Sequence, residues 1–128
     1  MDYALMIHTD EDVMVNASPE DVKEHVEAFG AYMKDLTDRG ILKAGEPLAP
    51  STSATTIRVE GGDVLTTDGP YAETKEALAG FFIVSCADLD EAIDLAAKMP
   101  AAPGSSVEVR PVNEELRSAV AAAAGISG

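Results

Sequence analysis

The chain has 128 residues, the length of one domain, of which 46% are hydrophobic and 25% are charged. This composition is typical of a globular protein with an apolar core and excludes a disordered or fibrous chain. The charge is unusual, because 23 Asp and Glu stand against 9 Lys and Arg, for a formal net charge of −14. Such a surface repels phosphate backbones and anionic lipids, so we expect no direct nucleic-acid binding and no membrane docking.

One cysteine and the N-terminal segment exclude further classes of protein. Cys86 is the single cysteine, so neither an internal disulfide nor a cysteine-based metal cluster can form. It lies in the apolar run 81–86, which indicates a core residue. Residues 1–7 lack the basic start and the length of a secretion signal, and no stretch approaches the roughly 20 apolar residues of a membrane span. We therefore expect a cytoplasmic protein.

A strand and a long helix are predicted first along the chain. Residues 3–8 alternate in polarity and predict a strand, and an acidic loop follows over 9–12. Ser18 and Pro19 predict a helix start, because serine caps free N–H groups and proline suits the first helical position. Apolar residues then recur at spacings of four and three and predict the buried face of this helix, which ends near Arg39-Gly40. The residues of this stripe are Val22, Val26, Phe29, Met33 and Leu36.

The middle of the chain predicts a loop, a hairpin and a strand. Residues 41–53 are rich in Gly, Pro, Ser and Thr and predict a connecting loop. Alternation over 54–60, a glycine turn at 61–63 and a return over 64–66 predict a β-hairpin. After a break at 67–71, the apolar run 79–86 predicts a strand.

The last third predicts a helix, a strand and a second helix. Asp88 and Glu91 form an aspartate version of the capping box, and the helix that they start ends before Pro100. Residues 107–112 predict a strand, and Asn113 caps a short alanine-rich helix that fades into a loose tail over 125–128. We therefore divide the chain into a domain at 1–112 and a C-terminal helix and tail at 113–128.

This order of elements predicts an α+β fold with a ferredoxin-like antiparallel sheet and helices on one face. The second face of such a sheet needs a cover. Because isologous dimers are the commonest oligomers, we expect a homodimer in which a second copy covers that face.

Imidazole chemistry in this chain must use one of two histidines, and no phosphate loop, dinucleotide fingerprint, nucleophile elbow or zinc motif is present. His8 precedes Asp10 and Asp12, a spacing that is weak evidence for a hard cation and otherwise places a histidine among carboxylates. We therefore predict no metal and no cofactor. His25 and Tyr32 share one edge of the apolar stripe. There His25 can face a cavity as a general base oriented by a carboxylate, or it can lie half-exposed at the helix boundary.

The segment DGPYAETKE at 68–76 is the most informative part of the sequence. It is too polar for the core, and its Gly-Pro pair predicts a constrained turn. Asp68 can accept backbone N–H groups as an ordinary turn residue. Alternatively, it can point into a pocket as an acid, a base or an orienting group.

This segment resembles the signature of the YCII-related family, in its DGPF-type branch, with Tyr71 in place of the usual phenylalanine. Segments at 40–48, 54–58, 89–92 and 107–112 resemble the family in the same order. The resemblance implies a ferredoxin-like fold that forms a dimeric α/β barrel. Most members of the branch have no assigned reaction, and many occur beside extracytoplasmic-function sigma factors. Relatives in the wider family carry a proposed His–Asp pair in a cavity, and one is a dechlorinating enzyme of aromatic breakdown.

The resemblance implies His25 and Asp68 as the catalytic pair. His25 lies on the corresponding helix, about one turn before the family histidine, and Ala28 falls nearer that position, so a cavity without this imidazole stays open as an alternative. His8 replaces a typical aromatic residue and is an alternative imidazole. The predicted cavity is bounded by the first strand, the long helix and the 68–76 segment. Its candidate ligand-binding residues are His8, Tyr32, Asp68, Gly69, Pro70, Tyr71, Glu73 and Lys75.

Three functions stay open from the sequence. The first is a homodimeric small-molecule-binding or regulatory accessory protein, with a link to an extracytoplasmic-function sigma factor. The second is a small lyase or dehalogenase-like enzyme that uses a His–Asp acid/base pair. The third is a structural dimerisation module whose loop pairs through Glu73, Lys75 and Glu76. An imidazole nitrogen within about 3.2 Å of an Asp68 oxygen would favour the enzyme.

Overall fold

The computed structural model describes residues 1–126 as an α+β fold. Its elements are β1 (Asp2–Asp10), α1 (Glu11–Val15), α2 (Pro19–Asp38), β2 (Leu42–Pro47), β3 (Thr55–Glu60), β4 (Asp63–Asp68), β5 (Glu76–Ser85), α3 (Leu89–Ala97), β6 (Ser106–Pro111) and α4 (Glu114–Ala124). An antiparallel sheet has the strand order β2-β5-β1-β6, and β3 and β4 form a separate hairpin. Without that hairpin and the two flanking helices α1 and α4, the order is βαββαβ, which confirms the predicted ferredoxin-like fold.

The core lies between the sheet and the helices. On the two central strands, alternate residues face the helices and are buried, among them Leu5 of β1 and Val84 of β5, each 0% exposed. Leu36 of α2 and Leu95 of α3 close this layer from the helical side. Cys86 is buried among them, as predicted, and burial raises the pKa of its thiol, which makes it a poor nucleophile.

The region predicted as a loop at 41–53 contains a strand instead. Leu42 pairs with Val84 and Pro47 with Gly80, so β2 is an edge strand of the sheet. An edge position tolerates proline, because one side of the strand needs no ladder hydrogen bond. Gly45 is a packing residue, since a Cβ there would lie 2.5 Å from the Phe82 ring. The glycine and proline that indicate a loop are therefore compatible with this strand.

The region 9–12, predicted as an acidic loop, instead holds the end of β1 and the start of α1. Strand β1 continues to Asp10, whose side chain accepts a hydrogen bond from the Asp12 N–H at 3.0 Å and so caps α1. Strand β5 likewise begins at Glu76, three residues before the start of its apolar run.

Helix α2 begins where the sequence predicts, but its buried face is different. The Ser18 hydroxyl accepts a hydrogen bond from the Asp21 N–H at 3.1 Å and caps the helix. Within the predicted stripe, Leu36 is buried, whereas Val26 is 62% exposed and Val22 and Met33 are also exposed. The prediction of one buried stripe is therefore wrong for three of its five residues.

Tyr32 explains the orientation of α2. Its hydroxyl donates a hydrogen bond to the Leu95 carbonyl of α3 at 2.7 Å, and its ring packs edge-on against Phe82 of β5. The ring of Phe29 stacks on the same phenylalanine at 6.3 Å. Helix α2 therefore meets the sheet through the side that carries Phe29 and Tyr32.

The C-terminal helix is tied to the start of the chain. Asn113 caps α4 by accepting a hydrogen bond from the Leu116 N–H, and Gly125 ends it in a left-handed conformation with φ 72°. Arg117 forms an ion pair with the buried Asp2. None of the helices within residues 1–126 has the length and apolar character of a membrane span. The predicted loose tail reaches residues 127–128, which lie outside the described residues.

Candidate functional site

The sheet has an uncovered face opposite the helices, here called the open face. It carries the other alternate residues of the central strands, which are half-exposed: Ala4, Met6 and His8 of β1, and Phe81 and Ile83 of β5. On the neighbouring β6, Ser106 pairs with His8 and Glu108 pairs with Met6. The open face is therefore apolar on the central strands, apart from His8, and polar along β6.

A cleft of about 1030 Å³ lies at the end of the open face where β1 finishes. The strands contribute His8, Leu78 and Ser106 to it. Its walls are two segments, 48–56 after β2 and 70–78 before and within the start of β5. Most lining side chains are apolar or small, as in sites for small organic ligands.

A smaller pocket of about 330 Å³ adjoins this cleft. Asp68, Gly69 and Glu73 line it, and it shares Ser51 and Pro70 with the larger cleft. The segment DGPYAETKE, here called the signature loop (residues 68–76), thus borders both spaces.

Two hydrogen bonds fix the start of the signature loop. The Gly69 N–H donates to the Ala54 carbonyl at 2.7 Å, and the Thr56 hydroxyl donates to the Gly69 carbonyl at 2.8 Å. Gly69 has φ 109°, a backbone angle that residues with a side chain rarely adopt, so this turn requires glycine. The ring of Pro70 fixes its own φ angle and so restricts the turn further. The restricted turn and the bond from Thr56 hold the loop against β3.

The opposite wall of the cleft is held by α1. The Glu11 carboxylate accepts hydrogen bonds from the hydroxyl of Ser51 and from its backbone N–H, the latter at 2.7 Å. These bonds hold the pKa of Glu11 below its usual value. No local sequence signal points to this contact, because 40 residues separate its partners.

The cleft holds an imidazole and an ammonium group, and each lies beside a carboxylate. His8 Nε2 lies 3.7 Å from Glu108 Oε1, and Glu108 also pairs with Arg110. Lys75, which lines the cleft, has its Nζ 3.9 Å from Asp10 Oδ2. The arrangement can therefore bind polar groups of a ligand through His8 and Lys75.

The structure does not bring His25 and Asp68 together. His25 lies on the helical side of the sheet, with its ring edge-on to Phe29 at 4.8 Å. Asp68 lines the smaller pocket, and among residues 1–126 no hydrogen bond joins the two side chains. Asp68 also accepts no backbone hydrogen bond through its carboxylate within that range.

Most of the predicted ligand-binding residues border the two spaces. The larger cleft is lined by His8, Pro70, Tyr71 and Lys75, and the smaller pocket by Asp68, Gly69, Pro70 and Glu73. Tyr32 lines neither, because its hydroxyl is bound to the Leu95 carbonyl within the helical layer. Within residues 1–126, no three His, Cys, Asp or Glu side chains are grouped closely enough to hold a metal ion, and this includes His8, Asp10 and Asp12.

Comparison with known proteins shows the family of the chain. The family model of the YCII-related domain matches residues 1–115. The chain is also 39% identical over 112 residues to the uncharacterized protein R00369 of Rhizobium meliloti (strain 1021), a match that covers 86% of this chain and 90% of that protein. The family match spans most of the chain and includes the sheet, both pockets and the signature loop. The chain therefore belongs to the family of YCII-related domain proteins.

Proposed function

We propose that the chain is a homodimeric protein that binds a small molecule in the cleft beside the signature loop. The observation that carries this proposal is the position of that loop, which forms one wall of a largely apolar cleft of about 1030 Å³. A cleft of this size suits an organic ligand, and a few polar groups such as His8 and Lys75 would orient it. A regulatory role, including the sigma-factor link that the family resemblance implies, would act through this ligand or a protein partner, because the net charge of −14 disfavours DNA.

Thermal-shift measurements with small aromatic and carboxylate compounds test ligand binding. We expect some of these compounds to raise the melting temperature of the protein. Tyr71→Ala and Lys75→Ala should each weaken the binding of such a compound about tenfold, a loss of about 1.4 kcal/mol. Lys98→Ala, at the end of α3 and outside both pockets, is the matched control and should bind as the wild type does. Equal affinity in all four proteins would exclude the cleft as the site.

The homodimer part of the proposal rests on the open face. Met6, Phe81 and Ile83 are only half-covered there, and the carboxylate of Glu108 beside them is already paired with the Arg110 guanidinium. Paired charges lower the cost of covering this face with a second copy.

Light scattering tests this arrangement. The wild type should be a dimer at micromolar concentration, and Phe81→Glu should be a monomer, because it would bury an unpaired carboxylate. Val26→Glu adds the same charge on the outside of α2 and should stay dimeric. A monomeric wild type, or a dimeric Phe81→Glu, would contradict pairing through the open face.

One observation favours an enzyme as a second candidate. His8 lies in the cleft within 3.7 Å of the Glu108 carboxylate, an arrangement that suits a general base. This pair differs from the predicted His25 and Asp68. If a compound that binds the cleft is also converted, His8→Gln should abolish turnover and His25→Gln should leave it unchanged. The opposite pattern would assign the chemistry to His25.

A further inference from the structure

The β3–β4 hairpin, here called the arm (residues 55–68), has no core of its own. Of its twelve strand residues, eleven are exposed and Thr56 is half-buried. Cross-strand pairing places Ile57, Val59 and Val64 on one face, and each is 64–65% exposed. A two-stranded hairpin alone is marginally stable in water, and an exposed apolar strand invites association. The apolar face of the arm therefore needs a cover.

The arm and the open face border the same cleft. Thr55 and Thr56 at the base of the arm line it together with His8 and Leu78 of the central strands. Strands of six residues extend about 20 Å, whereas four strands about 4.8 Å apart span about 14 Å. The arm is therefore long enough to cross the open face of another protomer.

The charges favour a second copy of the chain as the cover. Helix α2 carries six acidic residues and two lysines, so the helical sides of two copies repel each other. On the arm, Arg58 lies 3.8 Å from Glu60, and on the open face Arg110 pairs with Glu108. Two strongly acidic chains can approach each other with less repulsion on these surfaces than through their helices.

The tip of the arm also has a charge that the open face can complement. Glu60 and Asp63 are cross-strand partners there, and like charges directly opposite each other are destabilising. Arg110 on β6 has a side chain that is 67% exposed, and it offers a guanidinium group at the edge of the open face. An arm that crosses this face would bring its acidic tip towards the partner's Arg110.

We propose that, in the homodimer, the arm of each protomer lies across the open face of its partner and closes the partner's cleft. Ile57, Val59 and Val64 face the sheet, so the ligand site contains residues of both chains. This inference rests on the proposed homodimer and adds the segment that completes its site. Because the pairing is isologous, it buries both apolar surfaces at once.

Cross-linking between two differently tagged chains tests the position of the arm. One chain carries Val59→Cys on the apolar face of the arm, and the other carries Met6→Cys on the open face. Native Cys86 is buried, so a short bismaleimide reports the introduced pair. We expect a mixed dimer to cross-link through Val59→Cys and Met6→Cys. The control Thr67→Cys lies on the opposite face of the arm and should cross-link at least about tenfold less, because strand side chains alternate between faces.

The dimer dissociation constant gives an independent measurement. Val59→Lys should raise it at least about tenfold, since an ammonium group would be buried against the apolar open face, whereas Thr67→Lys should leave it within about twofold. A stable wild-type dimer that shows no preferential cross-link and an unchanged constant for Val59→Lys would overturn the arm exchange and leave the homodimer intact. A monomeric wild type would overturn the proposed homodimer as well.

Discussion

At the residue scale, Tyr32 joins α2 to α3 through the hydrogen bond that its hydroxyl donates to the Leu95 carbonyl. Burial raises the pKa of Tyr32 to about 12 from an ordinary value of 10.0. The folded state favours the neutral phenol, so its stabilising effect is complete below pH 10 and is lost as pH rises towards 12.

Replacing Tyr32 with Phe tests this contribution. The substitution should lower the free energy of unfolding by about 1 kcal/mol at neutral pH. The variant should also lose less stability than the wild type between about pH 9 and about pH 11, because it lacks the titrating phenol. Urea unfolding at the two pH values measures both effects. Parallel losses in the two proteins would contradict the role given to the phenol.

Among residues 1–126, Asp2 is the buried carboxylate, with its side chain 3% exposed. Its Oδ2 lies 2.9 Å from Lys43 Nζ and 2.9 Å from Arg117 Nη1. The hydrogen bond from Lys43, together with Arg117, outweighs desolvation and holds the pKa of Asp2 below its usual value. Its stabilising effect is therefore present above the unfolded pKa near 4 and is lost as pH falls below it.

Replacing Asp2 with Asn should lower the free energy of unfolding by about 2 kcal/mol at neutral pH, because two charge-assisted hydrogen bonds are lost. The difference from the wild type should shrink below about pH 4. Glu115→Gln removes an exposed carboxylate from α4 and serves as the control, with little change expected. Urea unfolding across this pH range provides the measurement. A difference that stayed constant into acid would show that the carboxylate charge is not the cause.

The candidate site could be predicted from the sequence only where its residues are neighbours in the chain. The signature loop is recognisable because nine consecutive residues carry its pattern. The contact between Glu11 and Ser51 and the pair His8 and Glu108 arise from loop folding and from strand register, across 40 and 100 residues. Composition and local spacing contain no signal for such contacts.

At the scale of elements, replacing one glycine of β2 and one of α2 with alanine tests how closely each is packed. Gly45 of β2 faces the ring of Phe82, and Gly30 of α2 has no atom within 4 Å of an added Cβ. Gly45→Ala should lower the free energy of unfolding by about 1–3 kcal/mol through overpacking. Gly30→Ala should raise it by about 0.5–1 kcal/mol, because alanine favours a helix. Chemical denaturation measures both variants, and an equal effect of the two substitutions would contradict the packing of Gly45 on Phe82.

The starts of α2, α3 and α4 are predictable because capping follows local rules. The caps at Ser18, Asp88 and Asn113 each accept the expected backbone hydrogen bond. The buried face of α2 was not predictable in the same way, since Tyr32 turns the helix by a hydrogen bond to α3. The edge strand β2 has no such local signal, because its glycine and proline predict a loop.

At the scale of the whole molecule, the net charge of −14 predicts a response to salt. A homodimer doubles this charge, and repulsion between its acidic surfaces weakens as ions screen them. The melting temperature should therefore rise from about 10 mM to about 150 mM sodium chloride. Calorimetry at both concentrations checks this, and an unchanged value would indicate that local ion pairs already balance the repulsion.

The cleft beside the signature loop is the proposed small-molecule site of the molecule. Amide chemical shifts of isotope-labelled protein, recorded against a library of small aromatic and carboxylate compounds, test it most directly. We predict that binding compounds shift the amides of His8, Tyr71, Lys75 and their neighbours most strongly. A library in which no compound shifts these amides, or in which the shifts cluster on α2 and α3, would contradict the account.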